Sequence, residues 1–348
     1  MKIAFFVNDM EREYPNFATT VLAWQARQRG HQVYYVTPED WLLDTDDSLH
    51  AHVREVPKGK SKDHGAFFKL LCSKETKRKN IDMADVDVLM LRNDPSTDVK
   101  DKPWAAESGI LFGREAVKRG VMVLNDPDSL SRAVNKLYFQ SFPRQVRAET
   151  IITRNAKDIK EFAEKHDGHI ILKPLQGSGG SGVFKVDKKN ASNLNQMIEA
   201  ISRDGYVIAQ EYVDAAKEGD IRLFMLNGQP LCIGKKYCAL RRRQGDDDIR
   251  SNIHAGGKAE AVEISDTELK VAEIIRPKLI ADGMFLVGID IVGDKILEVN
   301  VFSPGNLHSC SEMNGVDFSE PIIDAVERKV RIKEEFAVDF DNRHMAVI

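Results

Sequence analysis

The run K-P-L-Q-G-S-G-G-S-G-V-F-K-V, Lys173 to Val186, places four glycines and two serines in the six positions 177–182. Glycine admits positive φ and lets backbone N–H groups come close to an anion, so the run reads first as a cradle for phosphate. Its flanks say more. H-I-I-L-K-P (169–174) and V-F-K-V (183–186) are apolar, strand-like segments, so the loop joins strand to strand. It lacks the GK[ST] of a Walker loop and opens no helix, which excludes that loop and the dinucleotide fingerprint. On its glycines alone, the alternative is a flexible hairpin tip.

Upstream, the chain alternates strand-like runs with helical periodicity: KIAFFV, the helix FATTVLAWQARQRG closed by Gly30, HQVYYVTP, VDVLMLRND, a helix around LFGREAVKRG, and VMVLND. That is βαβ grammar and predicts a parallel sheet up to about Pro127. The segment 57–78, rich in Lys, Ser and His, reads as a loop with a short helix. After Asn125 the pattern changes. A helix over LSRAVNKLYFQSF (130–142) leads to ETIITR, a helix near AKDIKEFAEKH, and the glycine loop. GYVIAQEYV, IRLFMLNGQPLCIGKKY and FLVGIDIVGDKILEVNVF then read as antiparallel strands, with a hairpin at Asn227-Gly228. A parallel α/β domain therefore precedes an α+β domain. The runs RRR (241–243) and DDD (246–248) read as solvent-exposed charge in one loop.

The composition sets limits. Fifty basic and fifty-four acidic residues in 348 give a net charge of -4, so no global basic field announces nucleic acid or a membrane surface. The first apolar run is too short for a signal-peptide core, and none approaches the roughly 18 residues of a membrane span. The four cysteines form no C-x-x-C pair and read as reduced thiols of a cytoplasmic protein. A small-molecule partner is the expectation, with neither nucleic acid nor membrane.

Three features near the loop point to chemistry. Lys173 and Lys136 offer two cations for phosphate oxygens. Gln210 and Glu211 interrupt an apolar strand end that has free backbone edges for a base, and Asp220 follows with a carboxylate for ribose hydroxyls. Asp290, Glu298 and Asn300 supply hard oxygen donors on neighbouring strands, the set that Mg²⁺ takes when it also holds phosphates. Glu298 and Asn300, two apart, share a face. A two-residue Gly293-Asp294 turn would pair Asp290 with Leu297 and split the carboxylates, whereas a three-residue loop including Lys295 sets Asp290 opposite Glu298. The three-residue loop is the expectation.

With these residues assembled, the chain resembles the bacterial glutathione synthetases of the ATP-grasp superfamily. The likeness is carried by RNDP at 92–95, NDPDSL at 125, NKLYF at 135, ILKPLQGSGG at 171, AQEYV at 209, EGDIR at 218, RSNIHAGG at 250 and VGIDIVGDKILEVN at 287. The resemblance implies an ATP-grasp fold: an N-terminal parallel α/β domain (1–128), a lid with the glycine loop (129–205) and a C-terminal antiparallel-sheet domain (206–332); the tail (333–348) lies outside the likeness, and the sequence assigns it no role. It implies an ATP-dependent carboxylate–amine ligase joining γ-glutamylcysteine to glycine through an acyl phosphate. The alternatives are a peptide ligase with another acyl donor or acceptor, such as a glutamate ligase, and a nucleotide-binding protein without turnover.

Residue by residue, the resemblance assigns Lys136, Lys173, Gly177, Ser178, Gly179, Gly180, Gln210, Glu211, Val213 and Asp220 to ATP. Arg222, Arg250 and Asn252 go to the transferred phosphate, Arg241, Arg250, Ser303 and Gly305 to the acyl substrate, and Asp290, Glu298 and Asn300 to Mg²⁺. Two ions are expected, with Mn²⁺ as a substitute, in a homo-oligomer. One stretch departs from the family: V-F-S-P-G-N-L-H-S-C-S-E (301–312) replaces its usual Ser-Pro-Thr and Ile-Arg-Glu, which puts the peptide substrates in question and brings His308 toward them.

Overall fold

The computed structural model of the protein describes residues 1–99, 101–177, 181–188, 190–243, 258–336 and 341–348. Seven strands form the first sheet: β1 (Lys2–Phe6), β2 (Gln32–Val36), β3 (Trp41–Leu43), β4 (Leu49–Glu55), β5 (Lys77–Asp82), β6 (Val88–Leu91) and β7 (Met122–Leu124). Their order is β3-β4-β2-β1-β6-β7, with β5 beside β4. β2, β1, β6 and β7 are parallel, with Ala4 paired to Tyr34 on one side and Leu89 on the other. The sheet is mixed rather than wholly parallel, because β4 folds back against β2 and takes β3 and β5 as antiparallel neighbours. The polar segment 57–78 holds the expected short helix, His64–Leu71, but also supplies the start of β5, an exposed edge strand that pairs through its backbone despite its charges.

The lid sheet, in the order β10-β9-β11-β8, is built from β8 (Thr150–Thr153), β9 (Ile170–Pro174), β10 (Phe184–Val186) and β11 (Val207–Glu211). Helices Ala156–Lys165 and Leu194–Ser202 cover one face, burying Ile159, Phe162, Ile198 and Ile201 on Ile170, Leu172 and Val207 in a core of its own. Val207–Glu211, at the start of the third region in the sequence reading, is thus a strand of the lid sheet.

The third sheet runs β17-β16-β12-β18-β19, from β12 (Asp220–Leu226), β16 (Ala239–Arg243), β17 (Lys258–Glu260), β18 (Leu286–Val292) and β19 (Lys295–Asn300). β13 (Gln229–Pro230) pairs with β12 across Asn227 and Gly228, both at positive φ, and the short β14 (Cys232–Ile233) and β15 (Lys236–Tyr237) make a separate ladder. One face of this sheet packs on helix Asp266–Ala281 through Val271, Ile275 and Leu279; the other meets the N-terminal domain through Phe224 and Leu286. Among the described residues, no helix is long and apolar enough to cross a membrane.

The tail docks. Asn342 donates from Nδ2 to the Val123 carbonyl at 2.9 Å and accepts from its N–H at 2.8 Å, acting as a strand partner for the open edge of β7, while Met345 and Ala346 are buried.

Candidate active site

A cleft of about 320 Å³ opens between the lid and the third sheet. One wall is a row of polar side chains laid across the lid sheet by its register. Lys173 pairs with Ile208, so Gln210, two further along β11, lies diagonally beside it on the same face; Gln210 in turn sits directly opposite Thr150. Lys173 Nζ donates to Gln210 Oε1 at 3.0 Å, and Gln210 Nε2 donates to Thr150 Oγ1 at 3.0 Å.

Lys136 arrives differently. The helix expected over 130–142 stops at Arg132, and a 3-10 turn starts at Lys136, where the Asn135 side chain accepts from the Leu137 N–H. Asn135 prefers that cap to a helix interior, which frees the Lys136 N–H to bond the Leu175 carbonyl at 3.0 Å. Its ammonium donates to the carbonyl of Gly177, the loop's first glycine, at φ 115°. Desolvation pulls the Lys173 ammonium down to about 8, with Glu298 opposing and Lys136 adding repulsion. Lys136 is lowered too, by desolvation. Both lysines line the cleft and are partly dehydrated, which concentrates positive charge on this wall.

The facing wall carries the acids. Asp290 stands opposite Glu298, and Gly288 opposite Asn300, so Asp290, Glu298 and Asn300 share one face. The expected route to this register is corrected. Val292 pairs with Lys295, making the turn the two-residue Gly293-Asp294, and a bulge at Leu297 between Ile291 and Asp290 restores the alignment. Bulges re-aim side chains next to functional sites, and this one brings two carboxylates together.

Asp290 is 2% exposed and engages three groups: Arg222 as a bidentate fork at 2.5 and 2.8 Å, Arg242 at 2.7 Å, and Asn300 Nδ2 at 3.3 Å. Arg222, expected at the transferred phosphate, thus lies behind Asp290 and outside the cleft lining. Burial alone would raise its pKa, but Arg222 and Arg242 outweigh it and hold the carboxyl down to about 2. Glu298 shifts the other way, raised by desolvation and by the Asp290 charge. Among the described residues Oδ1 of Asp290 accepts from Arg222 alone, which leaves it a lone pair for a cation. Two carboxylates and an amide oxygen fit a hard divalent ion whose other ligands are water and phosphate.

Arg242 is the residue the sequence reading missed. It lies in the RRR run that reads as solvent charge, yet it is 4% exposed and bonds Asp220 as well as Asp290. The signal was register: β16 pairs Arg242 with Asp220 and Arg241 with Ile221. Gly219, at φ 87°, lets the chain enter β12 against that residue, since a Cβ there would stand 2.2 Å from the Arg242 carbonyl oxygen. Arg241, expected on the substrate, instead leaves β16 on the opposite face and donates to the Glu218 carbonyl at 3.2 Å. Asp220 lines the cleft with its carboxylate on Arg242.

Glu211, Val213, Gly177 and Ser303 line the cleft as well. Gly305 and His308 do not line it; His308 stacks edge-on against His64, with centroids 4.5 Å apart. Ser178, Gly179, Gly180, Arg250 and Asn252 lie outside the described residues.

The chain matches known proteins over most of its length. Residues 1–131 match the model of the prokaryotic glutathione synthetase N-terminal domain, and residues 135–315 that of the prokaryotic glutathione synthetase ATP-grasp domain. The chain is 32% identical over 313 residues to the glutathione synthetase of Vibrio parahaemolyticus, covering 88% of this chain and 91% of that one. It is also 32% identical to that of Agrobacterium fabrum over 314 residues, 90% of this chain and 91% of that one. Among solved structures, the D-cycloserine synthetase DcsG superposes with a TM-score of 0.62 at 14% identity, covering 92% of this chain and 99% of that one. The ATP-grasp ligase PsnB, complexed with a minimal precursor, gives 0.59 at 19% identity, covering 93% and 98%.

Proposed function

The chain belongs to the prokaryotic glutathione synthetase family, and from that premise we propose how its own residues carry out ATP-dependent joining of γ-glutamylcysteine to glycine. As an ATP-grasp ligase it uses ATP and a divalent metal ion; we take the ion to be Mg²⁺, two per site, held by Asp290, Glu298 and Asn300. Bound there, the metal neutralises phosphate oxygens and orients them for transfer.

The substrate carboxylate is a poor electrophile. Its oxygen attacks the γ-phosphorus, the bond to the β-phosphate oxygen breaks, and ADP leaves with that electron pair. The amine of glycine then attacks the acyl phosphate and expels phosphate after losing a proton. Both steps concentrate negative charge, so preorganised cations matter most. Lys136 and Lys173 hold the polyphosphate, and the segment from Gln210 to Val213 holds the base. Arg222 and Arg242 keep Asp290 ionised and fixed, while Ser303 borders the acyl substrate. The lid excludes water from the acyl phosphate.

The single observation behind this reading is the meeting of Asp290, Glu298 and Asn300 on one face, across the cleft from two dehydrated lysines. Hydroxylamine in place of glycine tests it. Trapping should yield the γ-glutamylcysteinyl hydroxamate with one ADP each; ADP without hydroxamate would overturn the acyl-phosphate route.

A further inference from the structure

The tail, 341–348, lies beyond the stretches that match the family, 1–131 and 135–315, and no step above uses it. It docks at a buried junction. Besides clasping the backbone of Val123, Asn342 donates from Nδ2 to Asp126 Oδ2 at 3.1 Å. Asp126 is 4% exposed; its Oδ1 accepts from the Ser129 N–H at 2.9 Å, capping the helix Pro127–Arg132, and stands 3.9 Å from Arg343 Nε. The backbone of Arg343 lies on Gly283. A Cβ on that glycine, at φ 59°, would stand 2.8 Å from the Arg343 carbonyl oxygen and 2.9 Å from its Cα. Only glycine lets the tail approach this closely.

Asp282, one residue earlier, ties the junction to the cleft. It is 3% exposed and accepts from three segments: Arg132 Nη2 at 3.2 Å, Lys278 Nζ at 2.5 Å and the Tyr138 hydroxyl at 2.7 Å. Tyr138 lines the cleft in the same 3-10 turn as Lys136, and beside it Phe139 carries Lys173 Nζ 6.0 Å from its ring centroid. Burial, then the bond to Asp282, pushes the Tyr138 hydroxyl well above the usual phenol range, so it stays a donor.

These contacts close a ring. Asn342 holds Asp126, Asp126 caps the helix that ends at Arg132, Arg132 holds Asp282, and Gly283 returns to the tail at Arg343. Across it, the Asp126 N–H donates to the Gly283 carbonyl at 3.2 Å. Carboxylates this buried must keep their donors, which restricts the ring to few arrangements. Undocking the tail takes a donor from Asp126 and the packing from Gly283, and Tyr138 is the group through which the change reaches the cleft.

We propose that the docked tail holds Asp282, and through it Tyr138, in the arrangement that binds ATP, so that tail and nucleotide stabilise each other. Asp282 is then a positioning residue that acts on the nucleotide wall through Tyr138. Coupling of this kind needs an element with two states that both sites bias, and the docked and undocked tail supplies them. This rests on the reading that the cleft takes ATP. Linkage makes the effect reciprocal: the factor by which the tail tightens ATP is the factor by which ATP tightens the tail.

The test measures both directions. Calorimetry gives Kd for the nonhydrolysable analogue AMPPNP with Mg²⁺ in the wild type, Asn342→Leu, Tyr138→Phe and the double variant. Asn342→Leu and Tyr138→Phe should each weaken binding by about tenfold, and the double variant should be less than about twofold weaker than Tyr138→Phe alone. In the wild type, AMPPNP should slow hydrogen exchange about tenfold at the Met345, Ala346 and Val347 amides, which bond within the tail. A lower melting temperature with unchanged Kd in Asn342→Leu would make the tail a structural staple and overturn the inference. So would losses that multiply in the double variant, or tail exchange indifferent to nucleotide, a result that needs no variant to fold. A wild type that does not bind AMPPNP would instead overturn the reading of the cleft beneath it.

Discussion

Arg242→Met separates the electrostatics of this site from its packing. Methionine fills much of the arginine stem but removes the guanidinium that bonds Asp220 Oδ2 at 2.9 Å and Asp290 Oδ2 at 2.7 Å. Asp220 and Asp290 are 3% and 2% exposed, so water replaces the lost guanidinium poorly. Losing one partner of a buried pair costs about 3–5 kcal/mol, which for a chain of this size lowers Tm by roughly 5–15 °C. The pH dependence gives the sign. Asp290 sits near 2 because Arg222 and Arg242 outweigh its burial, so it contributes about 2–3 kcal/mol above its unfolded pKa, lost as pH falls toward 2. With Arg242 gone that pKa rises, and the deficit against wild type should be widest at pH 7 and narrow toward pH 4. Urea unfolding at both pH values measures it, and added Mg²⁺ with ATP should recover part of the loss by replacing the missing positive charge. A variant within about 1 kcal/mol of wild type at pH 7 would refute the reasoning.

Three further outcomes follow, two from the same cleft and one from the N-terminal domain. Glu298→Gln should cut turnover by about 10²–10³ with the melting temperature unchanged or higher, since it removes a metal ligand and also the repulsion with Asp290; near wild-type turnover would exclude the metal role. Because burial pulls Lys173 down to about 8 and phosphate needs the ammonium, apparent ATP affinity by calorimetry should fall about tenfold from pH 7 to 9, and Lys173→Arg should flatten that profile. Glu13, raised to about 7, favours the folded state when protonated, so wild-type stability without substrate should fall by about 3 kcal/mol as pH rises from 4.5 through 7. Glu13→Gln should not show that fall, and an identical fall in the variant would place the titration elsewhere.

What could be read from the chain divides along physical lines. Alternating strands, turn residues and paired carboxylates are local patterns, which is why the strands flanking the glycine loop, the Asn227-Gly228 hairpin and the shared face of Asp290, Glu298 and Asn300 were legible. Arg242 was not, because its burial depends on a register with Asp220 set 22 residues away in the chain. The same holds for Leu297: periodicity of two has no room for a bulge, so alignment of the carboxylates was anticipated through a longer turn that the chain does not make. The helix over 130–142 failed for a local reason, the competing cap at Asn135. Glu13 and Arg92 lie 79 positions apart and feel each other's charge only because the parallel sheet brings the ends of β1 and β6 side by side.

The most direct measurement is the stoichiometry of products from purified protein given ATP, Mg²⁺, γ-glutamylcysteine and glycine, with each component omitted in turn. One glutathione per ADP and per phosphate, and none without either peptide substrate, is the predicted result. ADP formed at an undiminished rate without glutathione, or only with a different donor and acceptor pair, would contradict it.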